Sequence, residues 1–542
     1  MIKKVVVVGG GSAGWMSAST LVKAFPDMEI SVVESKDIPI IGVGESTIGG
    51  IRSWAKYVGL NEDRFFKPTE ASLKLSIKFT DFYKKNSSGF HYPFGRPMLL
   101  DDEENPFYMW QLKKHYYPET TVEDFVNCLF PASALFNSNK YSLNKYGEFD
   151  NFDPDESIAY HFDAVKFGVW LREEFCIPNG VKHIISTVKH VEVNSFGVDH
   201  VVLDDGSKLE ADLFIDCTGF KSLLLGDSLK EPFEPYSSML PNNRAVAARL
   251  PYKNKEKELE GYTNSTAIGN GWCWNIPLFT RLGSGYVYSD NFISPEDARE
   301  EFKNYLMSDK MVVPRTKDEV ESLEFKDIQI KTGIHTRTFV KNVVAIGLSA
   351  GFIEPLESNG LYSVHEFLLK LITILQRREI SQFDRDMYNT SIRTQFDNFA
   401  KFVSLHYALS HRNDTPYWIA NKERNYTDSF GDPYYPYLGR TDAYWNMGWR
   451  LMDNWHHPYG QAGITYIATG MHIDMFNDYR VGRINAEWPY WSKEIKRKVN
   501  NMNLRQLTDN QITVWNARKD KWKTNAFNSE SLEQYLINRF YS

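Results

Sequence analysis

A mostly β-branched run at residues 2–8 passes directly into Gly9-x-Gly11-x-x-Gly14; a helical stretch follows to Ala24, and residues 29–34 (EISVVE) make a second strand-like run. Nothing else in the chain restricts its fold as much as this βαβ opening. Gly9 permits the tight turn, Gly11 lets the backbone approach a pyrophosphate, and Gly14 allows the helix to pack closely on the strand. Ser12 and Ala13 lie at the helix start, whose N–H groups serve as phosphate donors. Glu34 falls 20 residues after Gly14, where a carboxylate accepts hydrogen bonds from ribose hydroxyls and its charge disfavours NADP. FAD and NAD share this fingerprint, so it leaves the choice between them open.

At 542 residues the chain has room for three to four units of about 150 residues, or for one large discontinuous fold. Hydrophobic residues at 42% and charged residues at 24% suit a soluble globular protein with a large core. Lys plus Arg number 62 against 69 Asp plus Glu, a net charge of −7. No basic field is available to attract nucleic acid. Four cysteines without a CxxC pair argue against a disulfide framework and a metal site, and suit a reducing compartment. The N-terminal apolar run is too short for a secretory signal, and no run reaches the length of a membrane span. The expectation is a cytoplasmic protein without membrane partners. Aromatic residues make up 15% of the chain.

Residues 71–80 (ASLKLSIKFT) alternate strictly. The pattern predicts an extended segment with Leu73, Leu75, Ile77 and Phe79 on one face and Ser72, Lys74, Ser76 and Lys78 on the other. Residues 157–175 carry apolar residues at helical spacing, which predicts a helix ending before Pro178. Three β-rich runs follow at 188–193, 198–203 and 209–215, with Asp205-Gly206 as a hairpin turn. Residues 343–346 (VVAI) read as a buried strand meeting Gly347, and a long helix is predicted over 361–377. The last 160 or so residues are helical at first, then densely aromatic from Tyr417 to Tyr459. Strand–helix fingerprints near residues 5, 215 and 345 point to one nucleotide-binding module assembled from separated segments. The fold class is α/β, with that module at 1–50, 151–225 and 330–380. A substrate module is interleaved at 51–150 and 226–329, and a mainly helical, aromatic-rich region occupies 381–542.

Residues 212–219 (DLFIDCTG) and 343–347 (VVAIG) resemble the second and third FAD contacts of glutathione-reductase-type flavoproteins, which favours FAD; a second nucleotide fingerprint is absent. Residues 269–277 (GNGWCWNIP) carry the WxWxIP signature of the flavin-dependent halogenases. Residues 351–360 (GFIEPLESNG) and 42–48 (GVGESTI) resemble two further blocks of that group, and His406-Tyr407 with 414–418 (DTPYW) extends the likeness to about residue 420. The chain is identified by these segments as a member of the tryptophan-halogenase-like group.

Trp272 and Trp274, two apart on a strand, put both indoles on one face as a stiff wall. The resemblance implies that this wall keeps organic substrate from the reactive flavin. Lys74 matches the family's reactive lysine; among Leu73, Leu75 and Ile77, desolvation favours its neutral amine, which captures hypohalous acid as a haloamine or hydrogen-bonds it. The pattern alone reads it as a solvated lysine, with Lys78 on the same face as a control. Glu357 matches the active-site glutamate, which polarises the oxidant or accepts the proton lost from the ring; Glu354 is the competing carboxylate. Asn359 and Gly360 open the next helix, where backbone N–H groups bind halide. The family usually has Thr where Asn359 stands, which leaves the halide preference open. By family position Leu348 and Leu361 flank the isoalloxazine and Val188 contacts adenine through its backbone. His91 lies in a segment resembling an aromatic substrate pocket, while His456-His457 reads as structural. Tyr434, Tyr435, Tyr437, Tyr444, Trp445 and Trp449 are pocket or core candidates.

The resemblance implies a halogenase in which FADH2, O2 and halide make hypohalous acid, directed by Lys74 onto an electron-rich indole, phenol or pyrrole. A separate flavin reductase is the implied transient partner, and a homodimer is compatible. The rivals are an FAD-dependent aromatic monooxygenase and a non-catalytic flavin-binding protein.

Overall fold

The computed structural model describes residues 2–37, 45–98, 106–377, 379–424, 461–472 and 504–542. Gly42 and Gly44, His456-His457 and the aromatic candidates at 434–449 lie outside them. Strand Lys4–Val8 occupies the interior of a six-stranded sheet ordered Phe339–Val340, Val343–Ala345, Leu213–Asp216, Lys4–Val8, Glu29–Glu34, Lys182–Ile185. All its pairings are parallel except that of the edge strand Phe339–Val340. A parallel sheet is covered on both faces, which is why its strands read as unbroken apolar runs. Helix Ser12–Ala24 packs on it and is buried from Gly14 to Val22.

The run predicted at 209–215 divides. Lys208–Glu210 completes a three-stranded antiparallel sheet with Val188–Asn194 and Gly197–Leu203, and Leu213–Asp216 enters the parallel sheet. Asp216 anchors the turn that follows: Oδ1 accepts from Thr218, and Oδ2 accepts the backbone N–H groups of Leu224 and Leu225 at 2.8 and 2.9 Å.

A seven-stranded sheet forms the second layer, ordered Lys326–Gln329, Arg244–Pro251, Arg281–Tyr288, Gly271–Pro277, Tyr262–Ile268, Ser76–Thr80, Phe90–Pro93. The predicted extended segment at 71–80 is broken at Leu75. Ser72–Lys74 instead joins a small sheet with Ala159–Phe162 and Glu45–Ser46. Leu75 bridges the two by donating to Gly261 O and accepting from Phe94 N, at 2.8 and 2.9 Å. Its polar face is not solvated, since Ser72, Lys74 and Ser76 are each 0% exposed.

The helix predicted from residue 157 begins seven residues later. Asp163 caps it, its carboxylate accepting from Val165 and Lys166 N–H at 3.0 and 3.1 Å, so the helix runs Ala164–Trp170 and the residues before it are free to pair as strand Ala159–Phe162. Helices Gly360–Leu375, Gln382–Ala408, Pro416–Glu423, Gln461–Gly470 and Leu504–Phe527 follow in the later chain. No helix among the described residues is long and apolar enough to cross a membrane.

Candidate active site

A cavity of about 500 Å³ opens beside the glycine loop. Gly9, Gly11, Ser12, Ala13, Glu34, Val188, Leu348, Leu361, Asn359, Gly360, Trp272 and Trp274 all line it. Gly14 lies beneath it: a side-chain carbon there would stand 1.9 Å from Gly9 O. Gly9 itself has φ +114°, a conformation that suits glycine alone. Gly10, given no role in the sequence reading, also lines the cavity; a Cβ there would meet the Glu34 side chain at 2.4 Å. Glu34 Oε2 is already engaged by His183 Nε2 at 2.9 Å and Arg172 at 3.2 Å.

Trp272 and Trp274 stand side by side on strand Gly271–Pro277, ring centroids 6.2 Å apart. Trp272 Nε1 donates to Glu354 Oε2 at 2.9 Å. The same oxygen accepts from Asn242 Nδ2 at 2.8 Å and from Tyr407 OH at 2.7 Å. Glu354 is therefore a buried anchor for the wall, which separates it from Glu357, its rival in the sequence.

Lys74 and Glu357 do not line the cavity but lie directly behind Ser358, which does. Lys74 Nζ donates to Thr47 O at 2.8 Å and to Ser358 Oγ at 2.7 Å, and stands 5.0 Å from the Phe94 ring centre. Burial drives its pKa well below the usual lysine value, against the pull of Glu357 and Glu45. A neutral amine has two N–H bonds and one lone pair. In that form the two N–H bonds would be those donated to Thr47 O and Ser358 Oγ, and the lone pair would be left for chemistry. Ser358 hydrogen-bonds onward to Ser46 Oγ at 3.0 Å, Ser46 to Thr263 at 2.6 Å, and Thr263 to His161 Nε2 at 2.8 Å. Ser358 has φ +58°, a backbone state uncommon outside glycine, at the end of the Pro355–Glu357 turn. Lys78, the control, is only partly buried and reaches toward the Tyr262 ring.

Glu357 Oε1 stands 3.0 Å from His406 Nε2. Burial raises the Glu357 pKa, and His406 and Lys74 oppose that rise. His406 was visible in the sequence but unassigned, because only the fold brings the long Gln382–Ala408 helix against the Glu357 turn. Asn359 Oδ1 is buried without a hydrogen-bond partner among the described residues, at the start of helix Gly360–Leu375. Glu45 lies in the segment at 42–48, where sequence pattern alone assigns it no role. Its Oε1 would lie 2.6 Å from a Cβ on Gly360, and burial pushes its pKa up to about 7. Its protonated form relieves the charge conflict with any anion at that helix start. His91 is packed away: it bonds Ser76 Oγ through Nδ1 at 2.9 Å and stacks on Phe136 at 4.4 Å.

The tryptophan halogenase family matches over residues 4–472. The chain is 33% identical over 447 residues to the tryptophan 6-halogenase ThaL of Streptomyces albogriseolus, covering 80% of this chain and 81% of that one. It is 33% identical over 442 residues to the tryptophan 7-halogenase RebH of Lentzea aerocolonigenes, covering 79% and 80%. Among solved structures, the apo structure of VirX1 superposes with a TM-score of 0.84 at 33% identity over 100% of both chains. The tryptophan 6-halogenase SttH of Streptomyces toxytricini superposes with a TM-score of 0.81 at 28% identity over 99% of both.

Proposed function

The chain belongs to the tryptophan halogenase family and is a flavin-dependent halogenase, and from that premise we propose how its residues divide the work. The glycine-loop cavity would hold reduced FAD, Lys74 would receive hypohalous acid arriving past the tryptophan wall, and Lys74 and Glu357 would flank the indole-type aromatic as it is halogenated. The carrying observation is Lys74, fully buried, its Nζ donating to Thr47 O and to the hydroxyl of Ser358, a residue that lines the cavity.

The residues fit FAD. A Cβ on Gly9 would stand 2.2 Å from Cys217 O and one on Gly10 2.4 Å from Glu34, so only glycine lets the loop pack this closely on its neighbours while its backbone lines the cavity. The volume falls within the range of small-molecule sites. Reduced FAD, when bound, supplies with O2 the two-electron oxidation that turns halide into hypohalous acid. The N–H groups opening helix Ser12–Ala24 hold the phosphates, Glu34 the ribose and the Val188 backbone the adenine. Leu348 and Leu361 flank the isoalloxazine. Asn359 and Gly360 hold halide at a helix start, and protonated Glu45 leaves that position open to an anion. Trp272, fixed through Glu354, and Trp274 beside it exclude the organic substrate.

The division into a flavin module (1–50, 151–225, 330–380), a substrate module (51–150, 226–329) and a helical region (381–542) is part of this reading. It is supported by the parallel sheet's use of strands near residues 5, 30, 184, 215 and 344. A separate flavin reductase delivers reduced flavin by diffusion, and a homodimer is compatible. Since ThaL, RebH and SttH are tryptophan halogenases, tryptophan and other indoles lead the substrate list, ahead of phenols and pyrroles. The test is mass spectrometry of products from such a panel with FAD, a flavin reductase, NADH and chloride, bromide or iodide. Halogenated product is expected; hydroxylated product from the parent protein would overturn the reading.

A further inference from the structure

Glu357 closes the Pro355–Glu357 turn, and His406 lies near the end of helix Gln382–Ala408. Their side chains are 2% and 0% exposed, and Glu357 Oε1 faces His406 Nε2 at 3.0 Å. On the other edge of the ring, His406 Nδ1 lies 3.0 Å from Val403 O. A carbonyl oxygen only accepts, so Nδ1 carries a hydrogen, and in a neutral ring Nε2 is then a bare acceptor. A bare Nε2 against a carboxylate sets two acceptors face to face, and neither atom has another hydrogen-bond partner among the described residues. One proton held by the pair removes that conflict. The Phe79, Phe82 and Phe402 rings surround the imidazole at 4.5, 5.9 and 6.1 Å, so little water is present to take the proton's place.

We propose that His406 is a positioning residue that carries the proton of this pair, so that Glu357 meets the substrate as a carboxylate. The inference rests on the halogenase reading above. In the step it serves, a ring carbon bonds to halogen as the halogen–oxygen bond breaks, and the departing hydroxide takes a proton from solvent to leave as water. The ring C–H bond then breaks, its electron pair returning to the ring and its proton passing to Glu357, which releases it to solvent. One proton is consumed and one released. Among the described residues, the other charged and titratable groups facing the pair are Lys74 from strand Ser72–Lys74, Tyr92 from strand Phe90–Pro93 and Glu354 before the turn, whose carboxylate accepts from Tyr407. Glu45 reaches it only across Lys74.

Replacing His406 by Gln removes the proton carrier, and Glu357 then holds the proton itself. At neutral pH, halogenation of tryptophan by His406→Gln is expected to fall about tenfold or more. The rising limb of its pH–rate profile should move upward by about one unit or more. Tryptophan deuterated on the ring should show a kinetic isotope effect of about 2 or more that fades as pH rises, because ring-proton loss has become slow. Hypohalous acid formation, read as halide-dependent oxidation of free methionine, should stay within about twofold of the parent. A folded His406→Gln with the parental pH limb and no isotope effect would overturn the assignment.

Nitrogen-15 shifts of the histidine rings in the parent and in Glu357→Gln read the pair without any turnover. One ring with a protonated Nδ1, whose Nε2 signal moves when Glu357 is replaced, is expected; no ring responding would overturn the pair. Absence of hypohalous acid from the parent would instead count against the halogenase reading, and the ring shifts would still decide the pair.

Discussion

The glycine-loop cavity and the Lys74–Glu357–His406 cluster lie on opposite sides of Ser358 and are built on opposite plans. The first is about 500 Å³ of open space, with glycine backbone along one wall. In the second, among the described residues, the functional groups are enclosed: Lys74 and His406 are each 0% exposed and Glu357 1%. A large cofactor needs room and backbone donors, so its site is made by leaving side chains out. Control of a small reagent and a single proton needs the reverse. Burial there moves the lysine and the glutamate away from their ordinary proton affinities, in a direction that exposed residues would not reach.

Substitutions can separate the two plans. The largest effect is expected from Lys74→Ala, which should cut halogenation about a hundredfold or more while flavin affinity, measured by fluorescence titration, stays near parental. Loss of flavin binding in that variant would merge the two regions into one. Glu357→Gln should slow turnover about ten- to a hundredfold with flavin retained; an unaffected rate would move the role to Glu354. Gly14→Val attacks the other side. Its Cβ would stand 1.9 Å from Gly9 O, so flavin affinity should fall about tenfold or more and halogenation should fall with it.

Glu45 sits on the border between the two. Its folded pKa of about 7 lies above its ordinary value of 4.5, so the folded state binds the proton more tightly than the unfolded chain. That contribution is complete below about pH 4.5 and is lost as pH rises through about 7. Melting curves at pH 5 and pH 8 should show the parent losing about 1–2 kcal/mol that Glu45→Gln does not lose, less than full burial would give because Glu45 lines an open cavity. Lys78→Ala should change turnover by about threefold at most, since that lysine remains partly in solvent.

The sequence disclosed the two plans unequally, for a physical reason. Gly9, Gly11, Gly14 and Glu34 form a local pattern whose turn and helix start follow from neighbours in the chain, and each lies in or directly under the cavity. Trp272 and Trp274 were legible as a wall because residues two apart on a strand share a face. The Lys74 site was not legible from pattern alone, because alternation reads its face as solvated. Its contact with Ser358 spans 284 residues, and it is enclosed by Thr47, Phe94 and the small sheet with Ala159–Phe162, which the fold alone brings together. That strand was itself hidden inside a helical periodicity, which a single cap at Asp163 cuts short. Sequence spacing likewise offered no way to rank Glu354 against Glu357. Their partners, Trp272 and Tyr407 for one and His406 for the other, come from other elements of the fold.

The three hydrogen bonds converging on Glu354 tie the tryptophan wall to the turn that carries Glu357, three residues further on. Adjacent residues of one helix, His406 and Tyr407, grip the two carboxylates, so the wall and the proton acceptor form a single mechanical unit. A fluctuation that swings Trp272 aside must strain or break the Glu354 contacts and disturb the seat of Glu357 as it does so. The moment at which an organic molecule slips toward the flavin is thus also a moment when the halogenating site is out of alignment. On the proposed reading, exclusion at the wall and alignment at Glu357 are lost together rather than one at a time.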